Sequence, residues 1–210
     1  MPALGLELRK KALDALTVAE VGETARFESL PSSRTRANLT PIRLEGLYEL
    51  AYLRLFVGWE AFLEDVFLRY LCGYVSSKGA AVPAPGTHFS SSLAGAEARL
   101  LGGRDYALWH KPSTVAARCS AHFSACPIAP VVLSNSASLE AFAAIRHRIA
   151  HGQDDARSKF DAATMSLAGR RYRGARPGAF LRDLDRSATP PRRWLEVLTD
   201  EFVGLASQIV

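Results

Sequence analysis

At 210 residues the chain is long enough to bury a hydrophobic core of its own and falls within the size of one domain. Its 48% hydrophobic and 22% charged residues exclude a disordered or collagen-like chain. The formal charge of +5 is modest, yet between Arg170 and Arg193 eight arginines stand against only Asp183 and Asp185. Such a run is either a solvated arginine-rich loop or a field that attracts a polyanion such as RNA.

The first residues carry Glu7, Arg9, Lys10 and Lys11 where a secretory leader needs an unbroken apolar run. No stretch approaches the ~20 apolar residues of a spanning helix, so the expectation is a cytoplasmic protein with no membrane partner. Cys72, Cys119 and Cys126 are odd in number and lack the spacing of a zinc or redox motif; they read as buried thiols.

In chain order, an amphipathic helix is predicted over about Glu7 to Val21, then a polar connector from Ser29 to Asn38. From Glu45 to Cys72 the sequence is helix-compatible throughout. Leu55, Phe56, Trp59, Phe62, Phe67 and Tyr70 cover more than one face, which marks a central helix. Gly73 stops it, and Ser76 to Ser92, with Pro83, Pro85 and Gly86, reads as a loop. Short helices follow over Leu93 to Leu101 and Ser113 to Phe123, after which Pro127 and Pro130 interrupt the pattern. Another helix starts near Ser136 or Ser138 with Glu140 in its first turn and ends at Gly152, a residue suited to the left-handed conformation. The last helix is predicted to begin at Pro190-Pro191 and to carry Trp194, Leu198, Phe202, Leu205 and Ile209 on one stripe. No internal repeat and no alternating strand pattern of convincing length is present. The fold class expected is all-α, a helical bundle with long loops and a C-terminal packing helix, as one domain over residues 1–210.

The chemistry is concentrated in Arg146-His147-Arg148-Ile149-Ala150-His151-Gly152. At about 100° per residue, Leu139, Phe142, Ile145 and Ile149 share the core stripe, Arg146 borders it, and His147 and His151 lie on the far side with Glu140. Imidazole exchanges protons near neutrality, and a guanidinium holds a phosphate through a bidentate fork. Those two groups are what RNA cleavage without a metal needs: a histidine moves the proton of the 2′-OH or of the leaving 5′-oxygen, and an arginine stabilises charge on the phosphorane.

This segment resembles the arginine, four to six residues, histidine signature of the HEPN superfamily, including the polar residue after the arginine and the glycine after the histidine. Gly58-Trp59-Glu60-Ala61-Phe62-Leu63-Glu64-Asp65 is similar to the first long helix of the RiboL-PSP-HEPN branch, and the likeness spans roughly residues 45–165. The resemblance implies a helical, metal-independent endoribonuclease of toxin or phage-defence type that requires no cofactor. Arg146 and His151 would be the catalytic pair and His147 an assisting group, with Glu60 structural. It further implies a homodimer with a composite active site and a neighbouring antitoxin that restrains it. Arg148, Arg170, Arg171, Arg173 and Arg176 are the candidate contacts to the RNA backbone.

Three other readings of the same residues stand beside this one. Arg146 can be salt-bridged to a carboxylate with both histidines exposed and idle. His147 and His151, four residues apart with Glu140 on the same side, have a spacing that can bind zinc, although no further donor is placed by the sequence. A HEPN-like module that only dimerises and binds a partner would use neither side chain for chemistry. His88, His110 and His122 follow no pattern and read as surface or packing residues, and Trp109 and Tyr106 more readily as core than as base-stacking platforms.

Overall fold

The computed structural model describes residues 1–103 and 106–210. Among them are ten helices and six strands of two or three residues, so the chain is an all-α helical bundle. The helices are α1 (Pro2–Glu28), α2 (Arg34–Asn38), α3 (Pro41–Leu71), α4 (Leu93–Leu101), α5 (Pro112–His122), α6 (Ile128–Ser134), α7 (Ser136–Ala150), α8 (Asp154–Ala168), α9 (Pro177–Arg182) and α10 (Trp194–Ile209). Among the described residues no single helix is long and apolar enough to cross a membrane.

The chain divides into two compact units, each discontinuous in sequence. The first comprises Met1–Arg9, Trp59–Glu140 and Val203–Val210. Its core is the second half of α3, where Phe67 packs edge-on against Trp109 at 5.4 Å and Phe123 at 5.3 Å. The Tyr70 hydroxyl lies 2.8 Å from Ser76 Oγ, with which it exchanges a hydrogen bond, and 3.1 Å from the Ile209 carbonyl, which accepts from it, so this buried phenol is satisfied. The segment expected to be a loop forms the hairpin β1 (Val75–Ser76) with β2 (Gly79–Ala80). It continues into β3 (Val82–Pro83), which pairs antiparallel with β4 (Phe123–Ala125).

Helix α6 corrects the reading of Pro127 and Pro130 as interruptions. Pro127 is the N-cap and Pro130 lies in the first turn, where a missing N–H leaves no hydrogen bond unmade. Packing of α5 on α6 brings Cys119 and Cys126 together, and their thiols share a hydrogen bond. That bond and burial push the Cys119 thiol up. The same bond, helped by the amides of Ile128 and Ala129 and opposed by burial, holds Cys126 down. All three cysteines are free.

The second unit comprises Lys10–Gly58 and Ala141–Phe202. Here Tyr48, Tyr52, Leu55 and Phe56 of α3 and Phe142 and Ile145 of α7 are all buried. The fully enclosed Tyr52 hydroxyl donates to the Phe142 carbonyl at 2.8 Å, and Phe202 lies 5.1 Å from the Phe142 ring and 5.8 Å from Phe56. Helix α9 enters this core through Phe180, stacked on Trp194 at 5.2 Å. Gly178 approaches α3 so closely that a Cβ there would stand 2.5 Å from the Glu45 carbonyl oxygen.

Several boundaries differ from those expected. Helix α1 extends to Glu28, the connector contains α2 capped by Ser33, and α3 begins at Pro41 rather than Glu45. Helix α7 starts at Ser136, one of the two starts expected, but this puts Glu140 beyond its first turn, and the helix stops at Ala150. Gly152 does not adopt a left-handed conformation; Gln153, in extended geometry, caps α8 directly. Helices α8 and α9 had no counterpart in the sequence reading. Pro190 and Pro191 do not start the last helix but lie between β5 (Leu184–Asp185) and β6 (Arg192–Arg193), with α10 beginning at Trp194.

Candidate active site

Helix α7 delivers the signature residues at its C-terminal end, where helical carbonyls without intrahelical partners favour positive charge. Phe142 and Ile145 are buried as expected, whereas Ile149 is only half-buried. The His151 amide still donates to the His147 carbonyl at 2.9 Å, so the helical turn persists through His151. Arg146 and His151 therefore keep the angular offset of about 140° that five helical residues impose.

The two histidines, four residues apart, come together: their ring centroids are 4.7 Å apart, tilted by 52°. On the other side of His147, its Nε2 lies 3.9 Å from Asp155 Oδ2, and the same carboxylate oxygen accepts from Lys159 Nζ at 2.7 Å. Partial burial, the neighbouring His151, Lys159 and the Arg146 guanidinium together hold the His147 pKa below its ordinary value, and Asp155 opposes them. These neighbours favour the neutral form of the His147 ring. His151 is exposed.

Arg146 is half-buried, and its buried Nε has no hydrogen-bond partner among the described residues. A buried donor of a charged group left unmatched is costly, and an anion arriving at the guanidinium would relieve that cost. Arg148 is used differently. Its Nε donates to the Ala175 carbonyl at 3.0 Å and its Nη1 to the His151 carbonyl at 3.4 Å, which fastens the turn after α8 to the end of α7.

The arginines of the 170–193 segment separate into two groups. Arg170 pairs with Asp183 and lies over the Tyr172 ring, and Arg176 makes a bidentate pair with Glu45. Arg182 meets Glu23 at 2.6 Å, Arg193 approaches the same carboxylate at 3.7 Å, and Arg192 meets Asp200 at 2.6 Å. Arg171, Arg173 and Arg186 are exposed and make no ion pair among the described residues. Much of the charge run is thus committed to structure.

Sequence reasoning missed Asp155 and Lys159. The available signal was the acidic pair Asp154-Asp155 immediately after Gln153, typical of the first turn of a helix, which places α8 directly after the histidines. Among the described residues no three or more His, Cys, Asp or Glu side chains are grouped to hold a metal ion, so the zinc spacing of His147 and His151 lacks a third donor. Of the remaining histidines, His110 Nδ1 lies 3.5 Å from Glu60, and His122 packs edge-on against Phe67 at 5.6 Å. Trp109 is buried, while Tyr106 is exposed. No protein-family model, curated protein or solved structure matches the chain.

Proposed function

We propose that the chain is a metal-independent endoribonuclease of the HEPN type, acting on RNA phosphodiesters by attack of the ribose 2′-OH. The observation that carries this reading is the contact between the His147 and His151 rings beside Arg146, with the neutral form of His147 favoured and one guanidinium donor unmatched. The neutral His147 accepts or relays a proton, the exposed His151 exchanges it at the scissile phosphate, and Arg146 compensates charge on the non-bridging oxygens. The 2′-oxygen bonds to phosphorus, the bond to the 5′-oxygen breaks, and the leaving oxygen takes a proton. The products are a 2′,3′-cyclic phosphate and a 5′-OH end.

In-line displacement needs proton donors and acceptors on opposite sides of phosphorus, each within about 2.6–3.2 Å of its oxygen. Two rings in contact, with Arg146 turned away from His151 around the helix, serve one side. A second copy of the chain supplies the other, so the working form is a homodimer with a composite site, as two-fold symmetry permits. The toxin or phage-defence role and a restraining antitoxin belong to the same proposal and rest on the resemblance alone.

The test is incubation of the purified chain with single-stranded RNA in excess chelator, with product ends identified by mass spectrometry. Cyclic phosphate ends that disappear in His151→Ala are expected. Absence of cleavage, or cleavage only when a divalent metal is restored, overturns the reading. Mixing Arg146→Ala with His151→Ala chains tests the composite site: partial recovery of activity is expected, and two variants that stay inactive together exclude it.

A further inference from the structure

Beyond the end of α7, the second unit contains a cleft of about 540 Å³, within the usual range of ligand sites. Five arginines line it: Arg170, Arg171, Arg173, Arg182 and Arg193. The carboxylates are placed so as to neutralise only some of them. Asp183 takes Arg170, Glu23 is shared by Arg182 and Arg193, and Glu45 takes Arg176 with Glu49 close by. These six guanidiniums thus face four carboxylates, and the two without one are Arg171 and Arg173.

Arg171 immediately precedes a turn over residues 172–175 that carries Arg173. The turn is closed by the Ala175 amide donating to the Tyr172 carbonyl at 2.8 Å, with the buried Ala175 held at φ 46°. A non-glycine residue in that conformation costs about 1 kcal/mol or more and persists only where its surroundings dictate it. Arg148 of α7 bonds the Ala175 carbonyl at 3.0 Å and so helps to hold the turn in place. Tyr172 offers no free stacking platform: its hydroxyl donates to Asp183 at 2.6 Å, Arg170 lies over its ring, and Phe180 stands edge-on at 5.4 Å. The cleft therefore presents charge and fork geometry without a base-reading aromatic face.

From this we infer that Arg171 and Arg173 form a phosphate-binding subsite that grips the backbone of a single RNA strand at a phosphate other than the one being cut, without regard to base sequence. The identity of the strand rests on the nuclease reading; the anion site itself does not. Arg170, Arg176, Arg182 and Arg193 act as its frame.

The experiment measures binding of a fluorescent 2′-O-methyl oligonucleotide, which has no 2′-OH to attack, by anisotropy across a salt series. Each phosphate contact contributes a slope of about −0.7 in log K against log salt for a single strand. Removing both guanidiniums in Arg171→Gln/Arg173→Gln frees that one phosphate and is thus expected to flatten the slope by about 0.7. Lys78→Gln, an exposed lysine of the first unit, is expected to leave it unchanged. The oligonucleotides are prepared in two unrelated sequences, and equal affinity is expected.

An unchanged slope in the double variant overturns the subsite, as does a preference of more than tenfold between the two sequences. So does tight binding of ADP that the double variant loses while oligonucleotide binding is retained, since the cleft would then take a free nucleotide. Thermal melts of the variants confirm that fold is intact. Because the probe cannot be cut, a flattened slope without any cleavage of ordinary RNA rejects the nuclease and keeps the anion site; cleavage with an unchanged slope does the reverse.

Discussion

Asp155 Oδ2 lies 3.9 Å from His147 Nε2, and it is the one group among the neighbours shaping that ring that favours its protonation. Neutralising this carboxylate leaves burial, His151, Lys159 and Arg146 unopposed. Asp155→Asn is therefore expected to move the His147 titration to lower pH, followed by NMR of the imidazole resonances. An unchanged midpoint would mean that Asp155 acts on Lys159 alone.

Kinetics separate the two rings. His151→Ala is expected to lower the rate of RNA cleavage by about a hundredfold or more, the usual contribution of a positioned acid or base. In His147→Ala the acidic limb of the pH–rate profile, set by loss of the neutral ring as pH falls, is expected to disappear. Near-normal turnover in His151→Ala, measured by single-turnover cleavage, would remove that residue from the chemistry.

Glu23 gives a stability prediction with a definite sign. Burial raises its pKa, but the hydrogen bond and charge of Arg182, joined by Arg193, outweigh burial and hold it below the ordinary 4.5. A carboxyl depressed in the folded state contributes stability that is present above its unfolded pKa and is lost as pH falls through the folded one. Urea midpoints measured from neutrality down through pH 4.5 should thus fall more steeply in the wild type than in Glu23→Gln. The variant should already be weaker at neutral pH.

Gly178 and Gly46 provide a pair of opposite sign in one unit. A methyl at 178 meets the Glu45 backbone, which cannot step aside, so Gly178→Ala is expected to cost about 1–3 kcal/mol. At 46, on the exposed side of α3, nothing lies within 4 Å of the added carbon, and Ala is expected to stabilise by about 0.5–1 kcal/mol. Chemical denaturation of the two variants measures both.

How far the sequence could be read depended on which forces acted locally. Helix α3 was legible because its apolar residues exceed what one exposed helix can carry, and α4 because Gly102 closes it in the left-handed conformation. Helix α8 was not, since its buried face is built from Ala156, Phe160, Ala163 and Thr164, too small and too polar a stripe to announce a core helix. The histidine pair followed from helical spacing. Its carboxylate partner did not, because the bend between α7 and α8 sets that contact. The arginine run could be counted but not apportioned: Glu23 and Glu45, which neutralise much of it, lie more than 130 positions away from Arg176 and Arg182. The thiol pair of Cys119 and Cys126 was hidden for a similar reason, as helix packing and not spacing joins them.

The close approach of α9 to α3 also sets a rule for descent. Any chain that keeps this docking must keep a residue without a side chain opposite the Glu45 backbone, whose carboxylate Arg176 holds in a bidentate pair. A glycine tied to a distant acid–base couple makes a stricter fingerprint than a loosely spaced arginine and histidine, and it would identify kin of this molecule even where Arg146 and His151 had been replaced.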